Sequence, residues 1–165
     1  MGGGPGAALA FESAPTPTVR GMNNAHTTGH PSDDSREARF EHGLAVLRRV
    51  DGEGGERVVD SLSDVSPELA HQVVAWGFGE IYARPGLAPR DRQLVTLGML
   101  TALGGCEPQL DVHVHAALNT GLTPAEIVEA LLHSAVYCGF PKALNATFVA
   151  KKVFAERGLL PVDQD

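Results

Sequence analysis

Cysteine is scarce: Cys106 and Cys138 are the only two in 165 residues. So few thiols, far apart in the chain, exclude a secreted disulfide framework and predict two small, reduced, half-buried side chains. Positive charge is also in short supply, with 13 Lys and Arg against 20 Asp and Glu and a net charge of −7. A nucleic-acid partner requires a basic surface, so none is expected. An anionic small molecule would have to be drawn by a local cluster of Arg and His, not by the field of the whole chain. No apolar run approaches the roughly 18 residues of a membrane span. Nor does a basic start lead into an apolar core of about seven or more residues, as a secretory signal would. The expectation is a cytoplasmic protein with no membrane partner. HExxH and paired CxxC spacings are missing, and the Gly-rich segments lack the strand–turn–helix setting of a phosphate loop. Neither a metal nor a bound nucleotide is expected.

Strand signals are absent as well, because no segment alternates apolar and polar residues with a period of two. What remains is helical. Residues 1–35, rich in Gly, Pro, Ser, Thr and Asn, bury too little apolar surface to offset their ordering entropy and are predicted to be a disordered tail. Residues 36–160 form the predicted domain, and 161–165 a short C-terminal tail. In the first helix, over 36–50, Phe40, Leu44, Leu47 and Val50 share a stripe, and the glycines that follow Asp51 stop it. A short helix is expected over 56–62. Ser66 and Pro67 then open a longer one as N-cap and first helical residue, ending before Arg84-Pro85-Gly86. Helices over 89–103, 107–120, 125–138 and 141–157 complete an all-α domain of about six or seven helices. Thr123-Pro124-Ala125-Glu126 has the form of a capping box. The segment from Ile127 to Cys138 is apolar almost all round, which predicts subunit association as well as an internal core.

Acid–base chemistry needs a proton donor, a fixed positive charge and a group that titrates near neutrality. Only one region concentrates these: Trp76 to Leu87, then Arg90-Asp91-Arg92, then His113-Val114-His115. Glu80 lies among Trp76, Phe78, Ile81 and Tyr82 near a helix C-terminus. It is either a surface carboxylate or, if buried, a carboxyl whose raised pKa suits a general acid. Arg92 precedes Leu94 and Val95 on an apolar helix and is the inward-facing candidate, either free to bind an anion or bridged to Glu80. Arg84 is a solvated charge or a second anion contact. His113 borders the apolar stripe of Leu110, Val114, Ala117 and Leu118, whereas His115 falls on the wet side with Asp111, its expected partner. His133 reads as a core or interface histidine. The candidate set is therefore Glu80, Arg92 and His113 for chemistry, with Tyr82, Arg84 and His115 as substrate contacts.

At these residues the chain resembles the carboxymuconolactone decarboxylase family, within the alkylhydroperoxidase-like helical superfamily. The resemblance rests on Gly79-Glu80-Ile81-Tyr82-Ala83-Arg84-Pro85-Gly86-Leu87, on Arg90-Asp91-Arg92, on the stretch from His113 to Gly121, and on the stretch from Ala135 to Asn145. It implies an all-α fold assembled as homotrimers or homohexamers, without a cofactor, that decarboxylates a γ-carboxymuconolactone-type unsaturated lactone acid in aromatic catabolism. The implied mechanism docks substrate carboxylates on Arg92 and Arg84, stabilises the oxyanion through His113 and protonates the ring carbon from Glu80. A related lyase, isomerase or dehydratase acting on another acid is the alternative. A thiol peroxidase is disfavoured: the superfamily's peroxidase branch pairs two cysteines before its histidine, and here Cys106 stands at the first position but Gln109 at the second, leaving no resolving thiol.

Overall fold

Seven α-helices and one π-helical segment make up the computed structural model, which describes residues 35–163; no strand occurs among them. The architecture is all-α, as the helical periodicity predicts. The expected tail over residues 1–35 lies, apart from Ser35, outside the described residues, as do the last two residues of the chain. Helix α1 spans Arg36–Val50, α2 Glu53–Ser61 and α3 Pro67–Gln72. After them come α4 over Pro89–Leu103, α5 over Glu107–Asn119, α6 over Pro124–Cys138 and α7 over Phe140–Glu156. The start signals read at Ser66 and Thr123 operate as expected. Ser66 Oγ accepts from the Leu69 N–H at 3.4 Å, and Ser35, a cap not singled out in the sequence, accepts from the Ala38 N–H at 3.1 Å. Thr123 and Glu126 form a reciprocal capping box at the head of α6, which satisfies two of the backbone donors a helix start leaves open.

Two elements differ from their expectations. Helix α2 starts at Glu53, so Gly54 and Gly55, expected in the stop after α1, lie inside it. The single helix predicted after Ser66 is α3 followed directly by a π-helical segment over Val73–Tyr82. Gly77 and Gly79 weaken the ordinary helical preference there, and tertiary packing holds the wider turns. Helix α1 crosses this segment at very short range. A Cβ on Gly43 would lie 2.1 Å from the Val74 carbonyl oxygen, and one on Gly79 would lie 3.3 Å from the Gly43 Cα. Only hydrogen at these positions lets the two backbones meet so closely.

Two apolar clusters result. The larger joins α4, α5, α6 and α7 through Leu97, Leu110, Val114, Ile127, Leu131, Val153 and Phe154, among others. The smaller joins α1 to the π-helical segment through Val46, Leu47, Val50, Val74 and Phe78. From Ile127 on, helix α6 is apolar on most sides, but the single chain covers only the face that carries Ile127, Leu131 and Ser134. Val136 is 75 % exposed and Tyr137 79 %, while Leu132, Phe140, Phe148, Met99 and Leu103 are exposed on α6 and on the α4 and α7 helices that pack against it.

Candidate active site

A cavity of about 560 Å³ opens between the end of α1, α2, the α3–π-helical segment and the start of α5. Leu47, Val58, Leu69, Val73, Trp76, Phe78 and Val112 give it an apolar wall, and Asp51, Gln72, Tyr82, Gln109 and His113 are its polar and titratable lining residues. Trp76 and Leu69 line it while remaining more than half exposed, so the cavity opens to solvent along them. Mostly apolar concavities with a few polar groups are the usual form of a small-molecule site.

His113 reaches the cavity from α5, on the border of the apolar stripe where its spacing puts it. Its Nδ1 lies 3.0 Å from Gln93 Oε1, and burial lowers its pKa to about 4, so the ring is neutral near pH 7. Gln93 comes from α4 and is fully buried; its Nε2 has no hydrogen-bond partner among the described residues. Tyr82 stacks on Phe78 with ring centroids 4.9 Å apart. Its hydroxyl meets Thr96 Oγ1 at 3.2 Å; burial raises its pKa, reinforced by the Asp51 charge and opposed by Thr96, the Arg92 charge and the nearby Gln93 amide.

Asp51 is the residue sequence reasoning missed. It caps the end of α1, is 5 % exposed, and its Oδ1 has no hydrogen-bond partner. Burial raises its pKa to about 7. In the sequence, Asp51-Gly52 reads as an ordinary helix stop. The available signal was its place directly after Val50 at the end of the apolar stripe, where a carboxylate also opposes the helix dipole. Gln93 had a signal too, since with Leu97 and Thr101 it forms a fully buried row on α4.

The other expected residues are placed differently. Glu80 does not line the cavity: it is exposed and pairs with Arg39 of α1 at 2.9 Å. Phe78 and Tyr82 both face the cavity, and Glu80, two residues from either, lies across the helix from them. The convergence of Glu80, Arg92 and His113 in one hollow is therefore not found within the single chain. Arg92 is not bridged to Glu80. Its Nη2 donates to the Arg84 carbonyl at 3.0 Å, its Nε is buried without a partner, and its charge is felt at the Tyr82 phenol. The Arg84 side chain is exposed. His115 is held by α7 and not by Asp111: Arg157 Nε donates to its Nδ1 at 3.1 Å, with Glu156 at 3.6 Å. Asp111 is taken instead by Lys152 at 2.9 Å. The packing of α7 across α5 supplies these partners, which periodicity along one helix cannot foresee. His133 is exposed and set edge-on to the Tyr137 ring. Cys106 and Cys138 are free thiols off the cavity wall, while Gln109 lies on it.

The family model described as the carboxymuconolactone decarboxylase family matches residues 67–152, which run from α3 into α7. A protein of Acinetobacter baylyi named 4-carboxymuconolactone decarboxylase is 36% identical over 126 residues, covering 76% of this chain and 93% of that one. A protein of Metarhizium robertsii named nitrosuccinic acid decarboxylase is 35% identical over 124 residues, covering 73% of this chain and 85% of that one.

Proposed function

This chain belongs to the carboxymuconolactone decarboxylase family, and from that premise we propose that it is a cofactor-independent carboxy-lyase acting on an unsaturated lactone acid of the carboxymuconolactone type. The observation that carries the reading is the apolar cavity with neutral His113 and Tyr82 on its wall. Loss of carbon dioxide spreads one carboxylate charge over a conjugated system. A localised carboxylate is poorly solvated by Leu47, Val58, Trp76 and Phe78, whereas a dispersed charge suffers less, so the wall favours the transition state over the bound acid. The two decarboxylases named above support this class, and a related acid with another electron-accepting group is the second substrate type to test.

His113 is the oxyanion donor in this scheme. A neutral ring donates from Nε2 only when Nδ1 accepts, which requires the Gln93 amide to present its NH₂ to the ring. Oxygen and nitrogen of an amide are interchangeable by a half-turn. Tyr82 contacts the substrate from the wall, whereas Arg92, with its unpartnered Nε, and the exposed Arg84 lie off the cavity lining and supply positive charge for a substrate carboxylate from beyond it. His115 and Glu80 do not line the cavity of the single chain and enter the scheme only if a neighbouring subunit uses them.

We also propose that the exposed apolar face shared by α4, α6 and α7 is covered by further copies of the chain, in a homotrimer or homohexamer, and that the enzyme works in the cytoplasm in the breakdown of aromatic compounds. Among the described residues no helix is long and apolar enough to cross a membrane. The deciding assay supplies purified protein with 4-carboxymuconolactone and follows carbon dioxide release without added cofactor. His113→Ala should lower kcat by about 10²–10³, the usual cost of removing an oxyanion donor. Absence of carbon dioxide from both this lactone and nitrosuccinic acid would refute the reading.

A further inference from the structure

Decarboxylation leaves a carbanion that must take up a proton, and the residue expected to supply it, Glu80, is turned away from the cavity and paired with Arg39. We propose that the carboxyl of Asp51, at the turn between α1 and α2, is the proton donor that quenches this carbanion. The proposal rests on the decarboxylase reading and assigns a step within it to a residue that precedes the first position matched by the family model.

Three observations place Asp51 in this role. It lies on the cavity wall, opposite no cation among the described residues, with Oδ1 buried and unpartnered. A carboxylate so placed would be an uncompensated buried charge, whereas the neutral acid needs only an acceptor, which a bound substrate provides. The surrounding packing is also specific to the site. A Cβ on Gly55 would lie 2.8 Å from the Asp51 Cβ and 2.9 Å from Leu47 Cδ2, so α2 packs this closely on the Asp51 side chain only because residue 55 has none. Burial keeps a proton on Asp51 up to about pH 7, within reach of the working range of a general acid.

Its neighbours on the wall are less suited. The Tyr82 phenol is engaged with Thr96 Oγ1, and burial makes it a still weaker acid. His113 is neutral, and its ring N–H is required at the oxyanion. The step balances simply. The C–CO₂ bond breaks and its electron pair passes into the conjugated acceptor. The Asp51 O–H then breaks as the new C–H bond forms, leaving the Asp51 carboxylate. Water returns a proton to this unfavourable buried anion, so each turnover consumes one proton and releases one carbon dioxide.

The test uses full-length Asp51→Asn and Asp51→Leu proteins with 4-carboxymuconolactone in H₂O and D₂O. Wild type should place one deuterium at the new CHD centre in a single configuration. Both variants should fold, because neither removes a charge the folded protein relies on. Each should lose about 10²-fold or more in kcat, the typical worth of a positioned general acid, with substrate affinity changed only a few-fold. The residual product should be configurationally mixed, since water then delivers deuterium from either face. Variants that keep the wild-type rate and a single configuration would overturn the proposal while leaving the decarboxylase reading intact. A loss that falls on affinity and not on kcat, or failure of Asp51→Asn to fold, would equally overturn it. Wild-type protein that releases no carbon dioxide from any of the acids removes the decarboxylase reading and this proposal together.

Discussion

Asp51 and His113 should exert opposite effects on stability as pH changes, and the two effects can be separated by mutation. Asp51 titrates near pH 7 in the fold against 3.8 for the free side chain. Between those values the folded state holds a proton that the unfolded state has released, so stability falls as pH rises, by about 4 kcal/mol in total at ~1.4 kcal/mol per pH unit. His113 titrates near 4 in the fold against 6.5 free. Between those values the unfolded state holds the extra proton, so stability rises with pH, by about 3 kcal/mol. From pH 4 to 6.5 the two slopes cancel in the wild-type protein. Urea unfolding at fixed protein concentration, across pH 4 to 8, should reveal each slope when the other group is removed. In Asp51→Asn the difference from wild type should grow by about 4 kcal/mol in favour of the variant between pH 4 and 7. In His113→Gln the variant should gain about 3 kcal/mol over wild type as pH falls from 6.5 to 4. Groups common to all three proteins drop out of these differences. Difference curves flat with pH for both variants would show that neither side chain is buried as described, and the account of a neutral acid and a neutral imidazole on one cavity wall would fail with them.

The remaining predictions concern packing and assembly. Gly43→Ala drives a Cβ to 2.1 Å from the Val74 carbonyl, so α1 must move off the π-helical segment. A destabilisation of about 2–3 kcal/mol is expected in thermal unfolding, together with lost activity as Leu47 and Asp51 shift; an unchanged melting temperature would contradict the close crossing. Val136→Glu places a charge on the exposed apolar face of α6, where Val136 is 75 % exposed in the single chain. Sedimentation should show wild-type trimers or hexamers and a smaller species for the variant, and a monomeric wild type would refute the covered-face reading.

The sequence determined that the chain is helical and where most helices start, because capping residues, prolines at helix starts and the 3.6-residue period act over a few neighbouring positions; it did not show the π-helical turns over Val73–Tyr82 or the early start of α2. It also placed His113 correctly at the edge of its apolar stripe and carried the motifs that tie the chain to its family. It misplaced Glu80, for the aromatic company of a residue along the chain says nothing about which side of the helix that company occupies. The cavity itself was decided by tertiary structure. Its wall takes residues from α1, α2, the π-helical segment and α5, and what lies opposite what depends on how closely those helices cross. Hydrogen at Gly43 and Gly79 sets one such crossing, and hydrogen at Gly55 sets how closely α2 packs on Asp51. Periodicity reports the face a residue occupies on its own helix. Whether that face meets solvent, a salt-bridge partner or a dry pocket, and so whether a carboxyl there stays charged, is settled only when a second helix packs against it.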